Sequence, residues 1–226
     1  MSEPDSLSTV YASDENVAVR CSGDFPILAP DWQKVVHGFD GAFEPGNPWL
    51  LNSPTFNFPI YGVCPGQIIV LRKPTSAFRG SGELLAVETA SDAVLSLRRI
   101  GAKAGAGAPP APSSGLVGVE FVITTLAPQI EEASFDLNRR FNIDPDVAGR
   151  TPADLHDLRE LRQACVLGVL ARRYAAETRS DHGDFALKLR QVQGELSEVL
   201  ARLELRWGAG GSDGRSTSLF STRIVR

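Results

Sequence analysis

The sequence predicts an α+β fold: a small antiparallel β-barrel or curled sheet, then a C-terminal three-helix bundle, then an extended C-terminal tail. Three observations carry this. Apolar residues recur with a period of two between about residues 55 and 123, in short runs rich in Val, Ile and Leu. After residue 124 the period becomes helical and stays so to about residue 207. Residues 208–214, GAGGSDG, then break the pattern with four glycines in seven positions. The chain divides accordingly into an irregular segment with helical turns at 1–54, a small β domain at 55–123, a helical bundle at 124–207, and a linker and tail at 208–226.

In the first segment, Asp14 is placed to cap ENVAVR, and Asp31 to cap WQKVVH before Gly38 stops it. Trp32, Phe39, Phe43 and Trp49 lie in a stretch too rich in Gly and Pro for a long helix, so this segment is expected to wrap over a core laid down elsewhere. Five short strands follow: TFNFPI, demoted to an edge by Pro59, then GQIIVLR, ELLAVETA, AVLSLRRI and GVEFVIT. Ser91 and Asp92 mark a tight hairpin between two of them. Residues 101–115, GAKAGAGAPPAPSSG, read as a long mobile loop serving as a contact element or lid.

The first long helix, LAPQIEEASFDLNRRF, puts Ile130, Leu137 and Phe141 on one face, with Pro128 in its first turn. Thr151, Pro152 and Asp154 form a start signal that launches a second helix towards Thr178. Asp184 starts a third. Its apolar seam is Phe185, Leu189, Val192, Leu196, Val199 and Leu203, the spacing of a helix packed nearly antiparallel on its neighbours. The second helix is apolar or small through residues 164–171, with no polar face at its middle, so it must be covered on all sides. Its own chain, as the centre of a bundle, or a neighbouring subunit can supply that cover. Gly168, costly in a helix interior, points to a close approach of another element there.

Composition excludes several classes. With 42% hydrophobic and 22% charged residues and a net charge of −4, the chain reads as an ordinary soluble globular protein without a polyelectrolyte partner. Cys21, Cys64 and Cys165 are dispersed and odd in number, which indicates neither a disulfide framework nor a zinc site. The opening MSEPDSLSTVYASDEN lacks the basic-then-apolar order of a signal peptide, and no run is long enough to cross a membrane. No catalytic constellation appears: His37, His156 and His182 lie in separate elements, Cys165 sits in an apolar run, and the adjacent Glu131 and Glu132 diverge on a helix. No catalytic residue, metal or cofactor is expected.

The order LAPQIEEASFDLNRRFNID, turn, DLRELRQACVLGVLARRYAAE, third helix and loose tail resembles the adaptor, or head-completion, proteins of the head-to-tail connector of tailed bacteriophages. The family pattern L-R-Q-A-x-x-L-x-x-L-x-x-x-Y falls on Leu161, Arg162, Gln163, Ala164, Leu167, Leu170 and Tyr174, and the resemblance covers about residues 124–207. It implies a structural virion protein, assembled in the host cytoplasm, that forms a homo-oligomeric ring, typically a dodecamer, beneath the portal protein. Such a ring carries the next neck or tail protein, and DNA passes through it without sequence-specific binding or any membrane. Members often send a C-terminal arm onto the portal. The stretch RSTSLFSTRIVR suits that role, with Arg215, Leu219, Phe220, Arg223, Ile224, Val225 and Arg226 as its contact residues. The β-structure before the bundle departs from the family and is more like stopper or tail-side connector proteins. Two other classes stay open: a small-ligand or glycan module using the aromatics between Trp32 and Trp49, and an enzyme with a dispersed site.

Overall fold

The structure is a computed structural model, and it describes residues 10–72, 83–111, 113–144, 147, 150–155, 157–178, 184–205 and 207. The chain forms two compact units, one of residues 13–126 and the other of residues 1–12 with 127–226.

The first unit is a closed barrel of six antiparallel strands: β1 (Lys34–Phe43), β2 (Leu50–Asn52), β3 (Ile68–Arg72), β4 (Glu83–Ser91), β5 (Val94–Arg99) and β6 (Leu116–Thr124). Their order around the barrel is β1-β2-β5-β4-β3-β6, with β6 pairing back onto β1. Alternate residues point inward. Val36, Phe43, Leu51, Ile69, Leu71, Leu85, Val87, Leu95, Leu97, Val119, Phe121 and Ile123 fill the interior. β3 is buried on both faces, because Ile68 and Val70 face outward beneath the short helix α1 (Asp14–Arg20). A single turn, α2 (Phe25–Leu28), follows α1 and buries Phe25 and Leu28.

Two strands come from the segment expected to be irregular. WQKVVH is not a helix: one 3₁₀ turn at Asp31–Gln33 leads straight into β1. The reason lies across the sheet. At Gly38 and Gly41 the inward positions of β1 carry no side chain of their own, and Phe121 of β6 fills the space. TFNFPI, in turn, is no strand. β1 and β2 pair only at Ala42 and Phe43, and residues 53–58 plug the opening that this short closure leaves. The Ser53 amide donates to Ala93 O at 2.8 Å and the Phe58 amide to Asp92 O at 2.7 Å, which sinks Phe58 into the core. The β4–β5 hairpin is tight, as expected, with Asp92 at φ 34°.

The second unit contains α3 (Ala127–Phe141), α4 (Arg159–Glu177) and α5 (Asp184–Arg202). α3 packs on α4 and α4 on α5. Cys165 lies on Ser134, and Arg172 reaches Asp136 and Glu132, which joins α3 to the centre and end of α4. Tyr174 at the end of α4 stacks on Phe185 at the start of α5, ring centroids 5.6 Å apart, which makes that pair antiparallel. α3 ends with Asn142 at φ 54° and the Ile143 amide bonded to Asn138 O at 2.9 Å, the asparagine form of a left-handed helix cap.

Thr151 and Asp154 make the expected reciprocal bonds, but they close only a 3₁₀ turn. The chain then extends through Leu155, which bridges Trp207, and α4 begins at Arg159. Every residue from Ala164 to Leu170 is buried. A Cβ on Gly168 would stand 3.6 Å from Ala133 Cβ, so α3 meets α4 here small residue to small residue. The α5 seam holds: Phe185, Val192, Val199 and Leu203 are buried, Leu189 and Leu196 half-buried.

Candidate interaction surface

The barrel unit exposes several large apolar side chains. Trp32 in the turn before β1 is 80% exposed, Phe39 on β1 64%, Ile60 in the plug segment 80%, and Val117 on β6 76%. Phe39 and Ile60 lie beside residues with specific contacts of their own. Asp40, beside Phe39, accepts hydrogen bonds from Ser53 Oγ at 2.7 Å and the Thr55 amide at 3.1 Å, tying β1 to the plug. Burial works to raise the Asp40 pKa, but the bonds from Thr55 and Ser53 outweigh it and hold the carboxyl below its usual value. Phe56, inside the plug, meets Tyr61 edge-on at 5.4 Å and so fixes the turn that displays Ile60.

On the outer face of β1, His37 lies against Phe39 with ring centroids 4.5 Å apart, and its Nε2 is 3.0 Å from Glu120 Oε1 on β6. Arg72, which pairs with Glu120 across the β3–β6 ladder, comes within 3.6 Å of the same carboxylate oxygen. The result is a polar line beside one exposed aromatic ring.

The segment 101–115, expected to be mobile, is anchored. Arg99 donates from Nε at 2.9 Å and Nη2 at 2.6 Å to Ala108 O and is ion-paired with Glu83. Arg98 donates to Ala102 O at 3.1 Å while paired with Glu15, whose carboxylate also accepts the Gly101 amide at 2.8 Å. The Arg98 hydrogen bond, chiefly, lowers the Glu15 pKa. Ala111 is buried in the barrel core, and the Ser113 carbonyl accepts the Gly46 amide at 3.0 Å. A segment this rich in Gly, Ala and Pro offers mainly backbone groups: two consecutive arginines at the end of β5 donate to its carbonyls, and Glu15 accepts the Gly101 amide.

The other residues singled out by sequence are dispersed. Phe43 and Trp49 pack into or against the barrel core, so the aromatics between Trp32 and Trp49 do not form one platform. Cys21 and Cys165 are buried and Cys64 is exposed. Burial, above all, pushes the Cys165 thiol up, the opposite of nucleophile activation. His156 and His182 lie outside the described residues, as do Arg215, Leu219, Phe220, Arg223, Ile224, Val225 and Arg226. Among the described residues no cluster of His, Cys, Asp and Glu is arranged to hold a metal, and no helix is long and apolar enough to cross a membrane. No family model, no curated protein and no solved structure matches the chain.

Sequence reasoning named Phe39 only as one of the aromatics between Trp32 and Trp49, and it did not single out Ile60, Tyr61 or Val117 as exposed. The signal was there for Phe39: in β1 it has the parity of His37, opposite to the buried Val36 and Gly38.

Proposed function

We propose that the protein is a structural subunit of a ring in the neck of a tailed bacteriophage, adapting the portal to the next connector or tail component around the DNA channel. The observation that carries the proposal is the set of exposed apolar side chains, Trp32, Phe39, Ile60 and Val117, carried on a closed barrel. A ring subunit joins unlike faces to its two neighbours and needs such surface on a scaffold that does not bend. The helices add support. Leu161, Ala164, Leu167, Leu170 and Tyr174, the motif positions of the resemblance, are buried, while Arg162 and Gln163 are exposed. In this reading 124–207 is the bundle of an adaptor, and 208–226 an extended arm that docks on the portal through its arginines and apolar residues. The second reading, supported by the barrel before the bundle, is that the chain is itself a stopper or tail-side connector ring protein.

Electron microscopy of the full chain, alone and mixed with the portal, tests this. Closed rings are expected, most simply of twelve copies, stacked coaxially on portal particles. A protein that stays dispersed with the portal present, or a ligand-bound monomer, overturns the reading.

A further inference from the structure

α5 has a second face, opposite its buried seam, and it is laid out like a surface built to meet itself. Leu187, Arg190, Gln191, Gly194, Ser197, Glu198 and Ala201 are all exposed. On a helix of 3.6 residues per turn they fall within about 60° of Gly194, a stripe running the length of the helix. Leu187 is 72% exposed. Gly194 stands in mid-helix with open space around it, so nothing within the described chain accounts for a residue that weakens a helix.

We propose that this stripe binds the same stripe of a second copy across a two-fold axis at Gly194, the two helices antiparallel. The occupant follows from complementarity. In that register Gly194 faces Gly194 and lets the backbones come close. Arg190 faces Glu198 of the other copy on both sides of the axis, and Gln191 faces Ser197. Leu187 lies over Ala201, large against small, at each end. Among the described residues neither Arg190 nor Glu198 has an ion-pair partner within its own chain. The parallel register does the reverse: it sets Arg190 against Arg190 and Glu198 against Glu198. Charge therefore selects orientation as well as partner. The contact is independent of the ring reading, since a ring joins unlike faces and this joins like ones. One helix pair buries less than the ~800 Å² per partner of a standard interface, so the association is weak and concentration-dependent.

Sedimentation of the full chain over a wide concentration range reads it. The wild type is expected to pass from monomer to dimer. Arg190→Glu and Glu198→Arg should each weaken the dimer at least tenfold, and the double variant should restore it. Gly194→Leu should raise the melting temperature of the monomer while abolishing the dimer, a pairing of effects that a purely structural glycine does not give. In a Cys64→Ser background, Gly194→Cys should form a disulfide-linked dimer in oxidising buffer. A wild type monomeric at every concentration overturns the proposal, and so does a dimer indifferent to Arg190→Glu or one not restored by the charge swap.

Discussion

The ring of Phe121 stands where the side chain of residue 38 would be: a Cβ on Gly38 would lie 2.4 Å from Phe121 Cζ. Phe56 closes the other side at 2.9 Å, and Phe121 is fully buried, so the ring has nowhere to go. Gly38→Ala is expected to cost about 1–3 kcal/mol or more through overpacking. Urea unfolding measures it. Phe121→Leu in the same chain should return part of the loss, so the two substitutions should be strongly non-additive.

Asp14 gives the barrel a pH dependence with a definite sign. It is buried at the start of α1, and its Oδ1 accepts the Leu126 amide at 2.6 Å. Burial raises its pKa from 3.8 to about 6, against the hydrogen bonds from Thr125 and Leu126, which act to lower it. A raised folded value means the folded state holds the proton more tightly. Its contribution is fully present below the unfolded value and is lost as pH rises through about 6. The loss is roughly 3 kcal/mol. Glu15 and Asp40, whose pKa values are lowered, act in the opposite sense at lower pH, so the comparison to make is with Asp14→Asn. The difference in unfolding free energy between variant and wild type should grow between pH 4 and about 7. A flat difference overturns the assignment.

Arg99 holds the 101–115 segment by its middle, at Ala108 O. Arg99→Ala should free that segment without unfolding the barrel. Amide exchange and proteolysis within 102–110 are expected to accelerate several-fold, with the melting temperature changed by a few degrees at most. Unchanged exchange would show that Ala111 and Ser113 suffice as anchors.

Val199 lies in the α5 seam and is 2% exposed. Val199→Asp buries an unpaired carboxylate and should cost several kcal/mol, visible as early loss of helical circular dichroism on heating. Ser197→Asp, two residues away on the opposite face, should cost little.

Deleting residues 215–226 should leave the melting temperature nearly unchanged and weaken portal binding in a pull-down. Equal binding by the truncated chain removes the arm from the proposal.

The helical half of the chain was largely legible in its sequence because its helices bury stripes made of their own residues. The α5 seam and the apolar centre of α4 lie where the spacing put them. The barrel was legible only where a strand carries its own inward side chains, as Ile69 and Leu71 do in β3. In β1 two inward positions are glycines filled from β6, so no local period survives, and Val35 and Val36 read as helix. TFNFPI shows the converse: its phenylalanines alternate because a plug must present them to the core, and the backbone bonds that hold it go to a turn. The start of α4 was misplaced because Thr151 and Asp154 satisfy each other over one turn, and nothing in their spacing says whether a helix continues. The exposed apolar side chains were hardest to read, since an exposed Phe39 differs from a buried one only through neighbours supplied by distant sequence.

The closure of the barrel also sets an order of events. β6 pairs with both β1 and β3, so the strand synthesised last supplies the ring that fills the first. Until Phe121 leaves the ribosome, the glycine hollows of β1 lack the ring that fills them. Contacts this far apart in sequence make for slow folding, whereas the antiparallel α4 and α5 meet through a short connection and should assemble quickly. A nascent chain that stops before residue 116 has five strands and no barrel, and is a ready client for chaperones.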